Sequence, residues 1–121
     1  MARPKKIKPP PPPTITVKLD IKAFPPVTVD PLVVEIDPKK YDTITWIPGG
    51  KQRFTFCTLE FRDKVHPFLK LEVLPDQITV DDDNKKPYDY EYIIWVHGGA
   101  DNKRYSSKPF THTGGPTIKN K

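Results

Sequence analysis

Cysteine, methionine and long apolar runs are scarce in this sequence of 121 residues, which has one cysteine and one methionine. The single Cys57 cannot form an internal disulfide, and such a cysteine count suits a reducing compartment. The longest apolar run, Ile93–Val96, is far shorter than the roughly 20 residues that a transmembrane helix needs. We therefore expect a protein that does not insert into a membrane.

The N-terminal region also lacks the features of an export signal. Its basic residues precede a run of prolines, and neither an apolar segment nor a small-residue cleavage site follows them. We expect no signal peptide, and a location in the cytoplasm or in an assembled virion.

Proline is abundant, with 16 residues, and it interrupts the chain too often for a helical bundle. Valine, isoleucine, threonine and the aromatic residues, which favour strands, outnumber the residues that favour helices. Short apolar segments alternate with proline and glycine turns. The sequence predicts an all-β protein, a two-sheet Greek-key sandwich of seven to eight strands that is cupredoxin-like or immunoglobulin-like.

Residues 1–13 differ in composition from the rest of the chain. They contain six prolines, five of them in the run Pro9–Pro13, and several basic residues. Consecutive prolines fix φ and lack N–H donors, so this segment is predicted to be an extended polyproline II arm outside the core. The chain therefore divides into a basic proline-rich arm at 1–13 and a β-sandwich domain at 14–121.

Charge is distributed unevenly along the chain. Residues 1–22 contain six basic residues and one acidic residue, whereas residues 23–100 contain nine basic and thirteen acidic residues. Residues 101–121 are basic again, with five basic residues and one acidic residue. This pattern favours a cationic arm that docks on an acidic partner, including a neighbouring copy of the protein. A nucleic-acid binder more often carries its basic face on the folded body.

Hydrophobic periodicity predicts where the strands lie. A first strand alternates from Ile15 to Ile21, and the clearest strand begins at Tyr88. On that strand Ile93 and Trp95 make the second face apolar too, which predicts a position in the middle of a sheet. Further strands are predicted at Leu32–Ile36, Asp42–Ile47, Arg53–Phe61, Phe68–Leu74, Ile78–Val80, near Tyr105, and at Thr117–Ile118.

Two of these segments are predicted to pair as a hairpin. Pro48-Gly49-Gly50 separates Asp42–Ile47 from Arg53–Phe61 and is typical of a turn. A bulge near Cys57 or Thr58 is needed to bring the apolar residues of the second strand to one face. Those residues are Phe54, Phe56, Cys57, Leu59 and Phe61.

Several short motifs occur in a recognisable order. They are Ile44-Thr45-Trp46, Phe54-Thr55-Phe56, Asp83 followed by Tyr88 and Tyr90, and the closing Gly115-Pro116-Thr117-Ile118-Lys119-Asn120. Over roughly residues 27–120 the sequence resembles small bacterial cupredoxin-like β-sandwich domains of unassigned activity that end in a Pro-x-Ile-x-Asn signature. The resemblance implies a fold and brings no catalytic residues with it.

Candidate metal ligands are few. A copper site of the cupredoxin kind needs two imidazoles and a thiolate, and Cys57, His66 and His97 form the alternative ligand set, with His112 as a further histidine. Cys57 precedes every histidine and the only methionine is Met1, which departs from the cupredoxin order. The acidic run Asp81–Asp83 with Asn84 lacks the spacing of a calcium loop and is predicted to be a solvated turn. We expect no cofactor.

Signs of catalysis are similarly weak. Ser106 and Ser107 are the only serines, and neither lies in a nucleophile elbow. The glycine pairs do not form a phosphate-binding loop. The sequence therefore predicts that the protein is not an enzyme.

Among the features of the sequence, the arm gives the strongest indication of function. The proposed partner-binding residues are Arg3, Lys5, Lys6, Lys8, Pro9 and Pro12. Basic residues beside prolines are typical of a segment that another protein recognises as a polyproline II ligand. A stiff spacer has the same composition. Contacts of the arm with nucleic-acid phosphates are a weaker alternative.

These features favour a non-enzymatic β-sandwich that packs in a larger assembly, such as a phage capsid decoration or a surface layer, with its arm docked on a protein partner or a neighbouring copy. The alternative is a cupredoxin-derived metal-binding protein. The aromatic residues Tyr88, Tyr90, Tyr92 and Trp95 are predicted mainly to fill the core, and a stacking platform for bases or sugars is the other possibility.

Overall fold

The computed structural model describes residues 13–37, 42–50, 54–83, 87–98, 103–108 and 115–120. These residues form ten strands and no helix. The strands are β1 (Thr14–Leu19), β2 (Val27–Asp30), β3 (Val33–Ile36), β4 (Asp42–Pro48), β5 (Phe54–Phe61), β6 (Phe68–Leu74), β7 (Gln77–Asp82), β8 (Tyr88–Gly98), β9 (Arg104–Ser106) and β10 (Thr117–Asn120).

The all-β class is thus confirmed, but the number of strands exceeds the seven to eight expected. The short β2, between Pro26 and Pro31, pairs with β1 as a strand of its own. Within the described ranges there is also no helix that could cross a membrane.

Two mixed sheets of five strands each make up the sandwich. One sheet has the order β2-β1-β4-β7-β6, and the other has the order β3-β10-β8-β5 with β9 also paired to β8. β8 is central, because β5 pairs along one of its sides and β10 and β9 pair in succession along the other. Its two apolar faces predicted this position. Two of the pairs are parallel, namely β1 with β4 and β3 with β10.

The predicted hairpin between β4 and β5 is wrong. β4 pairs with β1 and β7 in the first sheet, whereas β5 pairs with β8 in the second. Gly49 packs directly on β1, where its N–H donates to the carbonyl of Val17 at 2.7 Å. A Cβ at Gly49 would lie 2.7 Å from Cγ2 of Thr16, so this close approach requires glycine. Gly49 therefore packs against β1, and β5 pairs in the other sheet and not with β4.

The bulge predicted in β5 is confirmed. The register with β8 shifts between Phe56 and Thr58, so Cys57 is the additional residue. As a result Phe56 and Leu59 are both buried and Phe61 packs against the core, whereas Cys57 is only half-buried and does not join them. A second irregularity lies in β6, where Lys70 has a φ of 54° and the flanking Leu69 is exposed.

The core fills the space between the two sheets. Nineteen of its buried side chains form one cluster that draws on every strand except β9. At its centre the indole N–H of Trp46 on β4 donates to the hydroxyl of Tyr92 on β8 at 3.1 Å. The two rings meet edge to face, with centroids 5.4 Å apart. This contact joins the two sheets and satisfies the polar atoms of two fully buried aromatic residues.

Candidate binding site at the Tyr88 end

One end of the sandwich brings aromatic and charged side chains to the surface. We call it the Tyr88 end, and it is where β8 begins, β10 ends at Asn120 and β5 ends at Phe61. The strand registers place Asp82 of β7 and Phe68 of β6 at the same end. The two sheets meet there through a buried hydrogen bond from the Nδ2 of Asn120 to the Oδ1 of Asp82, at 3.1 Å.

A series of aromatic rings runs from the core to the surface at this end. Phe61 stacks on Phe68 with centroids 4.6 Å apart, and Phe68 meets Tyr90 edge to face at 5.2 Å. Tyr90 in turn contacts Tyr88 at 5.0 Å. Exposure rises from 6% at Tyr90 to 50% at Tyr88. The buried rings therefore support an aromatic side chain that remains available at the surface.

Two open depressions flank the ring of Tyr88. One has a volume of about 410 Å³ and is lined by Asp63, Val65 and Tyr90 among others. The other has a volume of about 500 Å³ and includes Asp89 and Lys119 in its lining. Pro87 and Tyr88 line both depressions, so they form the ridge between them.

A partly buried ion pair fixes one wall of this region. Arg62 follows β5, and its Nη1 lies 3.4 Å from the Oε1 of Glu91, whose side chain is only 4% exposed. The same guanidinium lies 3.5 Å from the carboxylate of Asp63. The backbone N–H of Arg62 also donates to the carbonyl of Glu91 at 2.9 Å. These contacts hold the start of the loop after β5 against β8.

The surroundings of Tyr90 disfavour ionisation of its hydroxyl. Burial of its hydroxyl raises the pKa of Tyr90, and the nearby carboxylates of Asp82 and Asp63 raise the pKa further. The charged side chains that line the two depressions are nevertheless of both signs, namely Asp63 and Lys64 in one and Arg62, Asp89 and Lys119 in the other.

The acidic run Asp81–Asp83, at the end of β7, is not the solvated turn that the sequence predicts. Asp82 is fully buried because Asn120 of the facing sheet meets it. The Oδ1 of Asp81 accepts a hydrogen bond from the hydroxyl of Thr43 at 2.9 Å. Both carboxylates therefore belong to contacts between strands, and Asn84 lies outside the described residues.

The alternative metal ligands are not brought together. His66 packs between Phe61 and Phe68 at the Tyr88 end, and its Nδ1 accepts the backbone N–H of Phe68 at 3.3 Å. His97 lies opposite Thr55, near the other end of β5, which is roughly 20 Å away along the strand. Over the residues that the structure describes, no group of three His, Cys, Asp or Glu side chains is able to hold a metal. Cys57 lies between them in the bulge, and His112 is not among the described residues.

The two serines have backbone partners. Ser107 pairs with Ile94, since its Oγ accepts the N–H of Ile94 at 3.0 Å and its own N–H donates to the carbonyl of Ile94 at 3.1 Å. The Oγ of Ser106 accepts the N–H of Lys108 at 3.2 Å. The hydroxyl of Ser107 thus extends the pairing of this segment with β8, and the hydroxyl of Ser106 accepts a local backbone N–H just after β9.

The aromatic residues of β8 do not form one continuous platform. Tyr90 and Tyr92 belong to the core, as predicted, whereas Trp95 lies on the outer face of the second sheet. Lys108 Nζ lies 4.6 Å and the guanidinium carbon of Arg104 5.4 Å from the centroid of the Trp95 ring. Glu60 accepts the indole N–H at 3.3 Å.

The arm residues proposed from the sequence lie outside the described part of the chain. Arg3, Lys5, Lys6, Lys8, Pro9 and Pro12 all precede Pro13, the first described residue. Sequence reasoning misses the exposure of Tyr88, because Tyr88 continues the alternation of Tyr90 and Tyr92 and therefore groups with the core. The nearby Pro87 is the available signal, because proline is tolerated at the start of a strand and so marks Tyr88 as lying at a strand end.

Comparison with models of known protein families gives no match for this chain, and no curated protein matches it with significant similarity.

Proposed function

We propose that this protein is a non-enzymatic structural or interaction protein, and that its Tyr88 end accepts a basic, proline-rich segment, namely residues 1–13 of a neighbouring copy. The observation that carries the proposal is the half-exposed ring of Tyr88 between two open depressions. Docking of this kind suits a component of a larger assembly, such as a phage capsid decoration or a surface layer.

The shape of the Tyr88 end supports such a ligand. A polyproline II segment repeats every three residues, which is about 9 Å, and presents proline rings on one face at that interval. Surfaces on which aromatic residues separate shallow pockets are the usual receptors for it. The run Pro9–Pro13 is predicted to adopt this conformation before it binds, so docking costs little conformational entropy.

The charges around Tyr88 are of both signs, because Lys64, Arg62 and Lys119 line the two depressions together with Asp63 and Asp89. Lys5, Lys6 and Lys8 precede the proline run. Asp63 and Asp89 line the depressions on either side of Tyr88. On this proposal the lysines of the arm pair with these two carboxylates. Such pairing sets the direction of the bound segment as well as adding affinity.

We also propose that the sandwich is cupredoxin-like, with Greek-key connections. The parallel pairs β1–β4 and β3–β10 support this choice, because an immunoglobulin-like sandwich consists of antiparallel sheets. The last residue of the Pro-x-Ile-x-Asn signature, Asn120, is buried and binds Asp82. On this proposal the signature has a structural role in joining the sheets.

Titration with a synthetic peptide tests the docking proposal. The receptor is the full chain with its arm neutralised by the substitutions Lys5→Ser, Lys6→Ser, Lys8→Ser, Pro9→Ser and Pro12→Ser. The ligand is a peptide of residues 1–13, and calorimetry measures its affinity. We expect saturable 1:1 binding that weakens at least tenfold, about 1.4 kcal/mol, when Tyr88→Ala is added to the receptor.

Two controls make the result specific. Phe24→Ala removes another highly exposed aromatic ring, 87% exposed, from the opposite end of the sandwich and is expected to leave the affinity unchanged. A peptide whose prolines are replaced by serine is expected to bind more weakly than the native peptide. Equal affinity of the native peptide for the Tyr88 and Tyr88→Ala receptors would refute the proposal.

A further inference from the structure

We infer that the edge of the sandwich along β2 binds a small amphipathic carboxylate, such as a medium-chain fatty acid, with its apolar chain between the two sheets and its carboxylate at Lys108. The inference does not depend on the proposed function, because the cavity at this edge shares no described lining residue with the depressions beside Tyr88. It assigns a ligand to a part of the molecule that the docking proposal leaves without a role.

A cavity of about 550 Å³ opens between the two sheets at this edge. Val27 and Val29 of β2, whose side chains belong to the buried core, form its floor. The facing wall includes Ser107 and Pro116, which lie just after β9 and just before β10. A volume of roughly 300–1,000 Å³ and predominantly apolar walls are typical of a small-molecule site.

Two exposed apolar side chains, Phe24 and Leu32, form the rim of the cavity. The segment that carries Phe24 is held in a turn, since the N–H of Asp20 donates to the carbonyl of Pro26 at 2.8 Å. On the other side of β2 the carbonyl of Leu32 accepts the N–H of Thr117 at 2.9 Å. The rim is therefore formed before a ligand binds, so that binding costs little conformational entropy.

The cavity follows the length of β2. Its lining extends from Phe24, which precedes the strand, to Leu32, which follows it. The four residues of the strand span about 13 Å. This length suits an unbranched apolar chain better than a compact ring system.

A peptide strand is a poorer occupant of the same edge. β2 is the outermost strand of the first sheet among the residues that the structure describes, so its outer side is open to pairing. Pro26 and Pro31 bound the strand directly and limit it to four residues. Short strands bounded by proline are typical of sheet edges that do not accept a further strand. The edge therefore favours a ligand that fills the cavity rather than one that extends the sheet.

The charge beside the cavity favours an anionic end group. Lys108 is the only charged residue among the described residues of the lining. It is exposed, and its Nζ lies 4.6 Å from the centroid of the Trp95 ring, which holds the ammonium at the edge of the second sheet. Arg104 and Glu60 at the same ring add one charge of each sign, so Lys108 leaves an excess of positive charge there. A single ammonium on apolar walls matches one carboxylate.

Calorimetric titration of the full native chain with a series of carboxylates tests the inference. The probes are hexanoate, octanoate and decanoate, each below the concentration at which it forms micelles. Because each methylene that enters the cavity leaves water, we expect the affinity to rise about fourfold for each methylene added. An affinity that does not depend on chain length, or the absence of saturable binding of decanoate, would overturn the inference.

Substitution of Lys108 tests the position of the carboxylate. We expect Lys108→Gln to weaken octanoate binding roughly threefold and to leave the binding of 1-octanol, which has the same chain without the charge, unchanged. Lys119→Gln, at the Tyr88 end, is the matched control and should affect neither ligand. Equal affinities of the native and Lys108→Gln chains for octanoate would show that the carboxylate is not bound at Lys108.

A bulky side chain at the rim tests the position of the apolar chain. Leu32→Trp obstructs the cavity from an exposed position and should weaken octanoate binding by about tenfold or more. Leu69→Trp, at a similarly exposed leucine of β6, is the control and should have no effect. In the native chain the methyl resonances of Val27 and Val29 should shift on addition of octanoate, which locates the ligand even where Leu32→Trp alters folding.

The remaining outcomes identify other occupants of the cavity. Methyl resonances of Val27 and Val29 that do not move, or equal affinities of the two tryptophan variants, would place the carboxylate elsewhere and overturn the inference. Self-association of the native chain that Phe24→Ala abolishes and octanoate does not reverse would assign the cavity to a second copy, and would also overturn it. The peptide titration at Tyr88 is read separately, so failure of either proposal leaves the other intact.

Discussion

At the scale of single residues, two buried polar contacts join the sheets. Trp46 donates to Tyr92 in the middle of the core, and Asn120 donates to Asp82 at the Tyr88 end. Each contact pairs a buried donor with a buried acceptor, so removal of one partner takes away a hydrogen bond at a position that water does not readily reach. These contacts should contribute more to stability than the exposed charges around them.

The hydroxyl of Tyr92 provides a first test. Tyr92→Phe retains the ring but removes the acceptor of the buried indole N–H of Trp46. We expect the free energy of unfolding to fall by about 1–3 kcal/mol in urea titrations. Tyr88→Phe, at a half-exposed ring, should change it by less than about 0.5 kcal/mol. Equal effects of the two substitutions would contradict the role given to the Trp46–Tyr92 contact.

The same residue predicts a dependence of stability on pH. Burial raises the pKa of Tyr92 far above its ordinary value of 10.0, although the hydrogen bond from Trp46 partly opposes the shift. A group with a raised folded-state pKa stabilises the fold fully below its unfolded pKa, and this contribution is lost as the pH rises above that value.

We therefore expect the free energy of unfolding to decline from about pH 10 upward, and to decline less steeply in Tyr92→Phe. Urea titrations between about pH 8 and 11 measure both slopes. Identical slopes for the two proteins would show that Tyr92 does not carry the effect.

Substitution of Asn120 tests its hydrogen bond with Asp82 at the Tyr88 end. In Asn120→Ala the fully buried Asp82 loses a hydrogen-bond donor, and we expect the free energy of unfolding to fall by about 1–3 kcal/mol. Lys119→Ala, on the exposed face of the same strand, is the matched control and should have little effect. A loss no larger than that of Lys119→Ala would remove the structural role assigned to the signature.

Sequence patterns predict the faces of individual residues well inside strands and poorly at strand ends. Tyr90 and Tyr92 are buried as their alternation indicates, but Tyr88 is not, because the facing sheet no longer covers it. The prediction of a solvated Asp82 is wrong, since nothing local indicates that Asn120, 38 residues away, will cover it. Both errors concern where the sheets end, which periodicity along one strand does not contain.

At the scale of elements, the bulge in β5 determines which residues enter the core. Without Cys57, the order Phe54, Phe56, Leu59 and Phe61 would alternate regularly with polar residues. With Cys57 present, the register shift absorbs one residue and keeps the same side chains inside. The bulge thus compensates for an extra residue in the strand.

Deletion of Cys57 is therefore expected to be tolerated. The shortened strand retains its inward face, and the cost should be near that of a typical single substitution, about 1 kcal/mol. Deletion of Ile93, in the regular ladder of β8, would turn the residues on one side of it to the opposite face and should abolish cooperative unfolding. Thermal melts followed by near-ultraviolet circular dichroism compare the two. Loss of the fold on deletion of Cys57 would mean that the bulge has a role beyond register.

Element boundaries are more predictable than element partners. The predicted strand Phe68–Leu74 agrees with β6, and Asp42–Ile47 differs from β4 by one residue. The predicted partner of β4 is wrong because a glycine turn usually indicates a hairpin, whereas here Gly49 packs against β1. Pairing depends on contacts between segments that are distant in sequence, such as Thr14 with Thr45, and local patterns do not report these.

At the scale of the whole molecule, the fold is expected to be independent of the arm. The buried core residues run from Ile15 to Ile118, and Pro13 contributes a carbonyl to β4. Removal of residues 1–12 should therefore change the free energy of unfolding of the monomer by less than about 0.5 kcal/mol. Urea titration at low protein concentration measures this, and a loss of more than about 1 kcal/mol would assign the arm to the folded body.

Association between copies is expected to weaken with salt. The arm is cationic, and the proposed function pairs its lysines with Asp63 and Asp89, which line the depressions beside Tyr88 together with Lys64, Arg62 and Lys119. Because the screening length falls from about 10 Å at 0.1 M salt to about 3 Å at 1 M, we expect the dissociation constant from sedimentation to rise roughly tenfold or more over that range. Sodium acetate in place of chloride is the control for anion-specific effects. An unchanged constant would assign the association to apolar contacts alone.

The positions of the two tryptophans have an optical consequence. Trp46 in the first sheet is fully buried, so its fluorescence should lie at short wavelength and be protected from dissolved quenchers. Trp95 lies on the outer face of the second sheet, beside Arg104 and Lys108. Iodide is attracted to these cations and should quench the fluorescence of Trp95 selectively. The protein thus carries an intrinsic fluorophore in each layer, and the loss of each layer during denaturation is separately visible without any added label.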